Sequence, residues 1–135
     1  MILDIKTLAD SLIEKVRNAV QEMKNKPHLT IVMVGSDSAS EVYVRNKIKT
    51  CENVGIEWTL LHLPENTTLQ ELSQHISTLN QNPEIDGILV QSPLPSHIEA
   101  QKIFDLIDPK KDVDGFSSTN TARLYSGDES GLIPW

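Results

Sequence analysis

The run "LTIVMVG", Leu29 to Gly35, is short, almost wholly apolar, rich in β-branched residues and closed by a glycine. It is too short for an ordinary helix and shows no alternation, so it predicts a strand buried on both faces, as in a parallel sheet. Parallel strands need long crossovers, and the flanks should therefore be helical. Upstream, Leu8, Leu12, Ile13, Val16, Val20 and Met23 recur at three- and four-residue spacing. They predict an amphipathic helix from about Thr7 to Lys24, closed by the "NKPHL" turn. Downstream the pattern is helical from Ala39 to Asn53, and Gly55 in "NVG" supplies a C-terminal stop.

The alternation continues. "IEWTLLHL" reads as a second strand, and "PENTT" as a loop offering Thr67 or Thr68 as an N-cap. "LQELSQHISTLNQ" places Leu69, Leu72, Ile76 and Leu79 on one helix face, and "IDGILVQ" is a third strand. "SHIEAQKIFDLI" predicts a further helix capped by Ser96, with Glu99 three residues on to complete a capping box. The segment from Asp108 onward, "DPKKDVDGFSSTNTARLYSGDESG", carries little periodicity and many turn formers and reads as loop-rich. The fold class is α/β: a parallel-sheet, three-layer domain with helices on both faces. Ligands of such sheets bind beyond the carboxyl ends of the strands. Here those ends are Gly35, the His62 to Pro64 region and Gln91.

Composition narrows the partners. The 135 residues, 39% hydrophobic and 23% charged, suit one folded domain with a single core. A net charge of −7, with Lys110-Lys111 as the longest basic run, argues against nucleic acid, whose phosphates require clustered cations. The one cysteine, Cys51, cannot close an intrachain disulfide, and no apolar run approaches the roughly 18 residues of a membrane span. The reading is a cytoplasmic domain with no membrane partner. His28, His62, His75 and His97 have no ligand spacing, so no metal is expected.

Three segments fall on the predicted rim: "SASEVYVRNKIK", "VQSPLP" and "KDVDGF". Each has an ordinary explanation, as a solvated helix face, a stiffened turn and an aspartate–glycine turn respectively. Together they assemble a different set. Tyr43 and Lys47 lie one helical turn apart, offering a flat ring beside an amine whose pKa burial would lower. Gln91 can donate and accept at once, and Asp114 can accept paired N–H donors from an amino-substituted heterocycle.

"VGSDSASEVYVRNKIKTCENVGI", "DGILVQSPLP" and "DPKKDVDGF", in this order and spacing, resemble the bifunctional methylenetetrahydrofolate dehydrogenase/methenyltetrahydrofolate cyclohydrolase family (the FolD type). The opening "ILDIKTLAD" is similar too, so the resemblance covers nearly the whole chain. It implies a tetrahydrofolate derivative as the small-molecule substrate. Lys47 would be catalytic in proton transfer as water attacks the one-carbon bridge. Tyr43 would stack on the aminobenzoyl ring and orient Lys47. Gln91 would tune the lysine and touch substrate, and Asp114 would anchor the pterin. Ser40, Pro93 and Leu94 would shape the same cleft. A homodimer is implied as well.

The chain departs from the family pattern at Ser38 and Ser92, which stand for Pro and Leu, and at Ser117-Ser118, which stand for His-Pro. Ala122 replaces a glycine and would be strained if that position needed positive φ. No Gly-rich strand-to-helix turn occurs among the six glycines. The expectation is therefore that residues 1–135 form a folate-binding catalytic domain. Its tail, 115–135, would lead to an absent second, dinucleotide-binding domain, and NADP would be used only with that domain. Two alternatives stand beside this: a non-catalytic folate-binding or regulatory module, and a related α/β dehydrogenase N-domain acting on amino acids.

Overall fold

His28–Val34 forms the central strand, β1, of a three-stranded parallel sheet ordered β2-β1-β3. This is a computed structural model and describes residues 5–128 and 130. The other strands are β2 (Glu57–Leu63) and β3 (Gly87–Val90). Register runs from His28 beside Glu57 to Val34 beside Leu63, and from Leu29 beside Gly87 to Val32 beside Val90. Ile31 to Val34 are all buried, as a run without alternation requires of a strand covered on both faces.

The helices are α1 (Ile5–Glu22), α2 (Ser38–Val54), α3 (Leu69–Gln81), α4 (Ala100–Phe104) and α5 (Ser118–Tyr125). One face of the sheet packs Val32, Val34, Ile88 and Val90 against Leu72 and Ile76 of α3 and Ile103 of α4. On the opposite face Ile31, Met33 and Leu89 pack against Val44 of α2. The three-layer expectation holds. Each fully buried aliphatic side chain contributes roughly 1.5–3 kcal/mol, so these two clusters are the main cohesive force.

Local signals explain the boundaries. Asp37 N-caps α2, and Gly55, at φ 86°, closes it in the left-handed conformation. Of the two threonines offered for α3, Thr68 takes the cap: its hydroxyl accepts from Glu71 N while Glu71 bonds back to the Thr68 amide. Thr67 instead turns inward, donating to the Pro64 carbonyl at 2.6 Å.

Five expectations need correction. The helix anticipated from Ser96 begins only at Ala100, after a turn in which Ile98 N bonds Pro95 O. Glu99 caps nothing with its side chain and pairs with Lys102 instead. The tail is not all loop, since it folds into α5, capped by Ser117. β3 is shorter than the pattern from Ile85 to Gln91. On α1, which ends at Glu22 rather than Lys24, Val20 is buried, but Leu8, Leu12 and Val16 are exposed.

Candidate functional site

The carboxyl rim of the sheet is organised by the turn that follows β1. Gly35 adopts φ 79°, and its N–H donates to Leu63 O at 2.9 Å, reversing the chain above the sheet. Asp37 then accepts from Ser40 N at 2.8 Å. That bond and the Ser40 side chain hold the Asp37 carboxyl below the usual aspartate range. Ser38 is the first residue of α2, a position that suits proline equally, so its departure from the family pattern disturbs nothing locally.

From this fixed start α2 presents Ser40, Tyr43 and Lys47. Tyr43 is 62% exposed, leaving its ring free for a ligand, while Lys47 is half-buried. On the neighbouring strand end Gln91 is buried, and its backbone N–H donates to Val32 O at 2.8 Å. Lys47 Nζ donates to Gln91 Oε1 at 3.1 Å, and Gln91 Nε2 donates to the Ser92 carbonyl at 2.7 Å. The amide is thus gripped at both ends, with its oxygen turned to the lysine. Ser40 Oγ donates to the same Ser92 carbonyl at 3.3 Å. Since Ser92 contributes its main-chain oxygen, the identity of its side chain is not what holds Gln91.

Asp114 arrives from the loop between α4 and α5. Lys111 O accepts from Ile88 N at 2.7 Å, fastening the loop alongside β3. Lys111 Nζ donates to the carbonyls of Asn82, Asn80 and Leu79 at 2.7, 2.9 and 3.3 Å, at the end of α3, where Leu79 O and Asn82 O also accept backbone N–H groups. Burial pushes the Asp114 carboxyl up from the usual aspartate range; the Lys47 charge opposes this and the Asp112 charge adds to it. An amine, an amide and a carboxylate therefore share one rim, with a phenol a helical turn away. The amine can move a proton, the amide can hold it in register, and the carboxylate can accept paired donors.

Pro93 follows a cis peptide bond from Ser92 and is exposed, while Leu94 is half-buried. With Gly35, Asp37 and Glu65 they line a recess of about 170 Å³ beside the rim. Of the residues anticipated from sequence, Tyr43, Lys47, Gln91, Asp114, Pro93 and Leu94 all come to this end of the sheet. Ser40 does too, but its hydroxyl is spent inward on Ser92. Ser117 and Ser118 are not gaps in the rim: Ser117 Oγ accepts from Asn120 N, and Ser118 donates twice to Asp105 of the α4 end, at 2.7 and 3.1 Å. Ala122 lies within α5, and no described non-glycine residue has positive φ, so the feared strain is absent. Lys111 was missed by sequence reasoning, because its partners lie about 30 residues away and leave no local signal.

A concavity of about 710 Å³ lies at the opposite, amino end of the strands, between Lys24, Lys26, His28, Glu57, Glu84 and Asp86. Its mixed charges are largely exposed, and it has no part in the rim. Among the described residues no group of three or more His, Cys, Asp or Glu side chains could hold a metal. No described helix is long and apolar enough to cross a membrane.

Fold and site define a class: a parallel α/β domain with a lysine–amide–carboxylate rim at the carboxyl ends of its strands. Comparison with known proteins narrows it. The family profile described as tetrahydrofolate dehydrogenase/cyclohydrolase, catalytic domain, matches residues 3–114, and the chain belongs to that family. It is 46% identical over 134 residues to the bifunctional protein FolD of Hydrogenobaculum sp., covering 98% of this chain and 48% of that protein. The crystal structure of the FolD enzyme from Campylobacter jejuni, at 41% identity, superposes with a TM-score of 0.97 over 99% of this chain and 49% of that one. The Trypanosoma brucei enzyme, complexed with NADP cofactor and inhibitor, gives 0.90 at 26% identity, over 99% of this chain and 47% of that one. The chain spans about half the length of the relatives it matches.

Proposed function

We propose that this chain is the folate-binding catalytic half of an enzyme that interconverts 5,10-methylene-, 5,10-methenyl- and 10-formyl-tetrahydrofolate in the cytoplasm. One observation carries the reading: the Lys47 amine is held on Gln91 beside a half-buried Asp114, one turn from an exposed Tyr43. Tyr43 stacks against the aminobenzoyl ring, Asp114 accepts N–H donors of the pterin, and the Pro93-Leu94 segment bounds the cleft. Water forms a C–O bond at the one-carbon bridge, Lys47 takes a proton from it, and the C–N5 bond then breaks. N5 leaves with one proton, and the second is released to solvent. Orientation of this kind contributes on the order of 7 kcal/mol in well-aligned cases.

NADP would supply the hydride acceptor of the dehydrogenase step, but the described residues do not fit a dinucleotide. The turn that leads into α2 is occupied by the Asp37 carboxylate, with Glu65 beside it, and both would repel a diphosphate. No hydride step is assigned to this half. A second reading, a folate-binding module without turnover, is favoured by the openness of the rim around Tyr43. Copies of the chain pair as a homodimer in this proposal. β2 is an edge strand whose outward side is unpaired among the described residues, and Trp58 on it is exposed.

The test is hydrolysis of 5,10-methenyltetrahydrofolate, followed by its ultraviolet absorbance, for the chain and for Lys47→Met. Activity that disappears in the variant supports the cyclohydrolase reading. Equal background rates with retained folate binding leave the binding module.

A further inference from the structure

Beneath the Asp114 loop lies a buried polar cluster that the proposed chemistry does not use. Asp112, Ser117 and Asn120 are each no more than 2% exposed. A carboxylate withdrawn this far from water is costly unless donors replace its hydration. The hydrogen-bond partners of the Asp112 carboxylate are neutral: Oδ2 accepts from Ser117 N at 2.9 Å and from Asn120 Nδ2 at 3.1 Å. Asn120 Nδ2 also donates to Pro109 O at 2.9 Å. One amide therefore ties together the chain before the loop, the loop itself and the first turn of α5.

The connectivity gives this cluster a specific consequence. Between Asp112 and Ser117 the chain reverses, with Gly115 at φ 68° and its N–H on Asp112 O at 3.1 Å. Asp114 rides on that reversal. Lys111 fastens the upstream side of the loop to β3 and α3, so the remaining freedom lies at the downstream side. The bonds to the Asp112 carboxylate close that side.

We propose that Asp112 and Asn120 form a positioning pair for Asp114, closing the base of its turn so that its carboxylate stands at a fixed place opposite Lys47. The charged groups acting on Asp114 are Lys47 from α2 and Asp112 from its own turn. This role rests on the reading of Asp114 as a folate anchor, and the test separates the two.

Binding of 5-formyltetrahydrofolate is titrated calorimetrically for the chain, Asn120→Ala, Asp114→Asn and the double variant, each checked for folding by urea denaturation. Asn120→Ala is expected to weaken binding about tenfold in the parent and almost not at all when Asp114 is already asparagine, since the pair acts through Asp114. Equal losses in both backgrounds overturn the proposal, because a merely structural role would weaken both alike. Carboxyl-carbon NMR titration supplies a readout that needs no ligand. Asn120→Ala keeps the Asp112 charge but frees the turn, so the Asp114 midpoint should fall toward that of an ordinary aspartate; an unmoved midpoint overturns the pair. If the parent binds no folate, the anchor reading fails while this arm still decides. If Asn120→Ala does not fold, hydrogen exchange in the parent decides: Gly115 and Ser117 amides should open together and slowly, and free exchange at either refutes the closed turn.

Discussion

Replacing Gly87 by alanine tests how tightly the Asp114 loop is seated on the sheet. A Cβ at Gly87 would stand 2.7 Å from Val113 Cγ1 and 3.2 Å from Leu29 Cδ1. Carbon atoms prefer about 3.5–4.0 Å, so the first contact is short by roughly 1 Å. Overpacking of this kind costs about 1–3 kcal/mol. Alanine also restricts the unfolded chain, which returns about 0.4–1 kcal/mol because Gly87 is not at positive φ. The net expectation is a loss of about 1–2 kcal/mol. Val113 is partly exposed, so Val113→Ala alone should cost under about 1 kcal/mol of transfer energy. In the double variant the clash is gone, and the two changes should be less costly together than their sum by about 1 kcal/mol. Urea denaturation followed by tryptophan fluorescence measures all three. An unaltered midpoint for Gly87→Ala, or strict additivity in the double variant, would refute the claim that Val113 is what excludes a side chain at Gly87.

Lys111→Met should destabilise the domain by about 1.5–3 kcal/mol, since three carbonyls at the end of α3 lose a charged donor, while Leu79 O and Asn82 O keep backbone N–H partners. A shift under about 0.5 kcal/mol in the same assay would mean that water replaces the ammonium without loss. For Asp114 the sign follows from its raised pKa. Its contribution is fully present below the ordinary aspartate value of 3.8 and is lost as pH rises through the higher folded-state value. At pH 7 the ionised, half-buried carboxylate therefore opposes folding, and Asp114→Asn should be the more stable protein without ligand. The gap between the two should close as the pH falls toward 4, read as urea midpoints across a pH series; a parent more stable than the variant at pH 7 would mean that Lys47 outweighs burial.

The central sheet was legible because its strands obey local rules. β1 is a continuous apolar run, α3 carries both its apolar stripe and its capping box, and Gly55 marks the end of α2. The failures have a common physical origin in tertiary override of local signals. Ser96 and Glu99 have the spacing of a cap, but Pro95 and the Ile98 turn use that backbone first. α5 lacks a clean apolar period because its buried residue is Asn120, whose partner Asp112 is eight positions upstream in a loop. The exposed stripe on α1 was equally invisible, since periodicity shows which face is apolar and not what lies against it. At the site, the Tyr43–Lys47 spacing was readable from the helix alone. The Lys47–Gln91 bond, 44 positions apart, was readable only from the predicted convergence of strand ends at one rim together with family resemblance, and Lys111 and Asp112 offered no local sign.

The placement of β1 between its neighbours has a mechanical consequence for the rim. α2, which carries the amine, starts a few residues beyond the end of β1, and Gln91 hangs from β1 through Val32 O. The Asp114 loop is hooked to β3, which β1 also holds. All three reactive groups are thus referenced to one rail, and the outer strand β2 carries none of them. β2 joins this frame at its carboxyl end, where Leu63 O holds Gly35 N, so fraying from its amino end, at Glu57, dissipates away from the lysine and the alignment of amine, amide and carboxylate should drift no more than the central strand itself does.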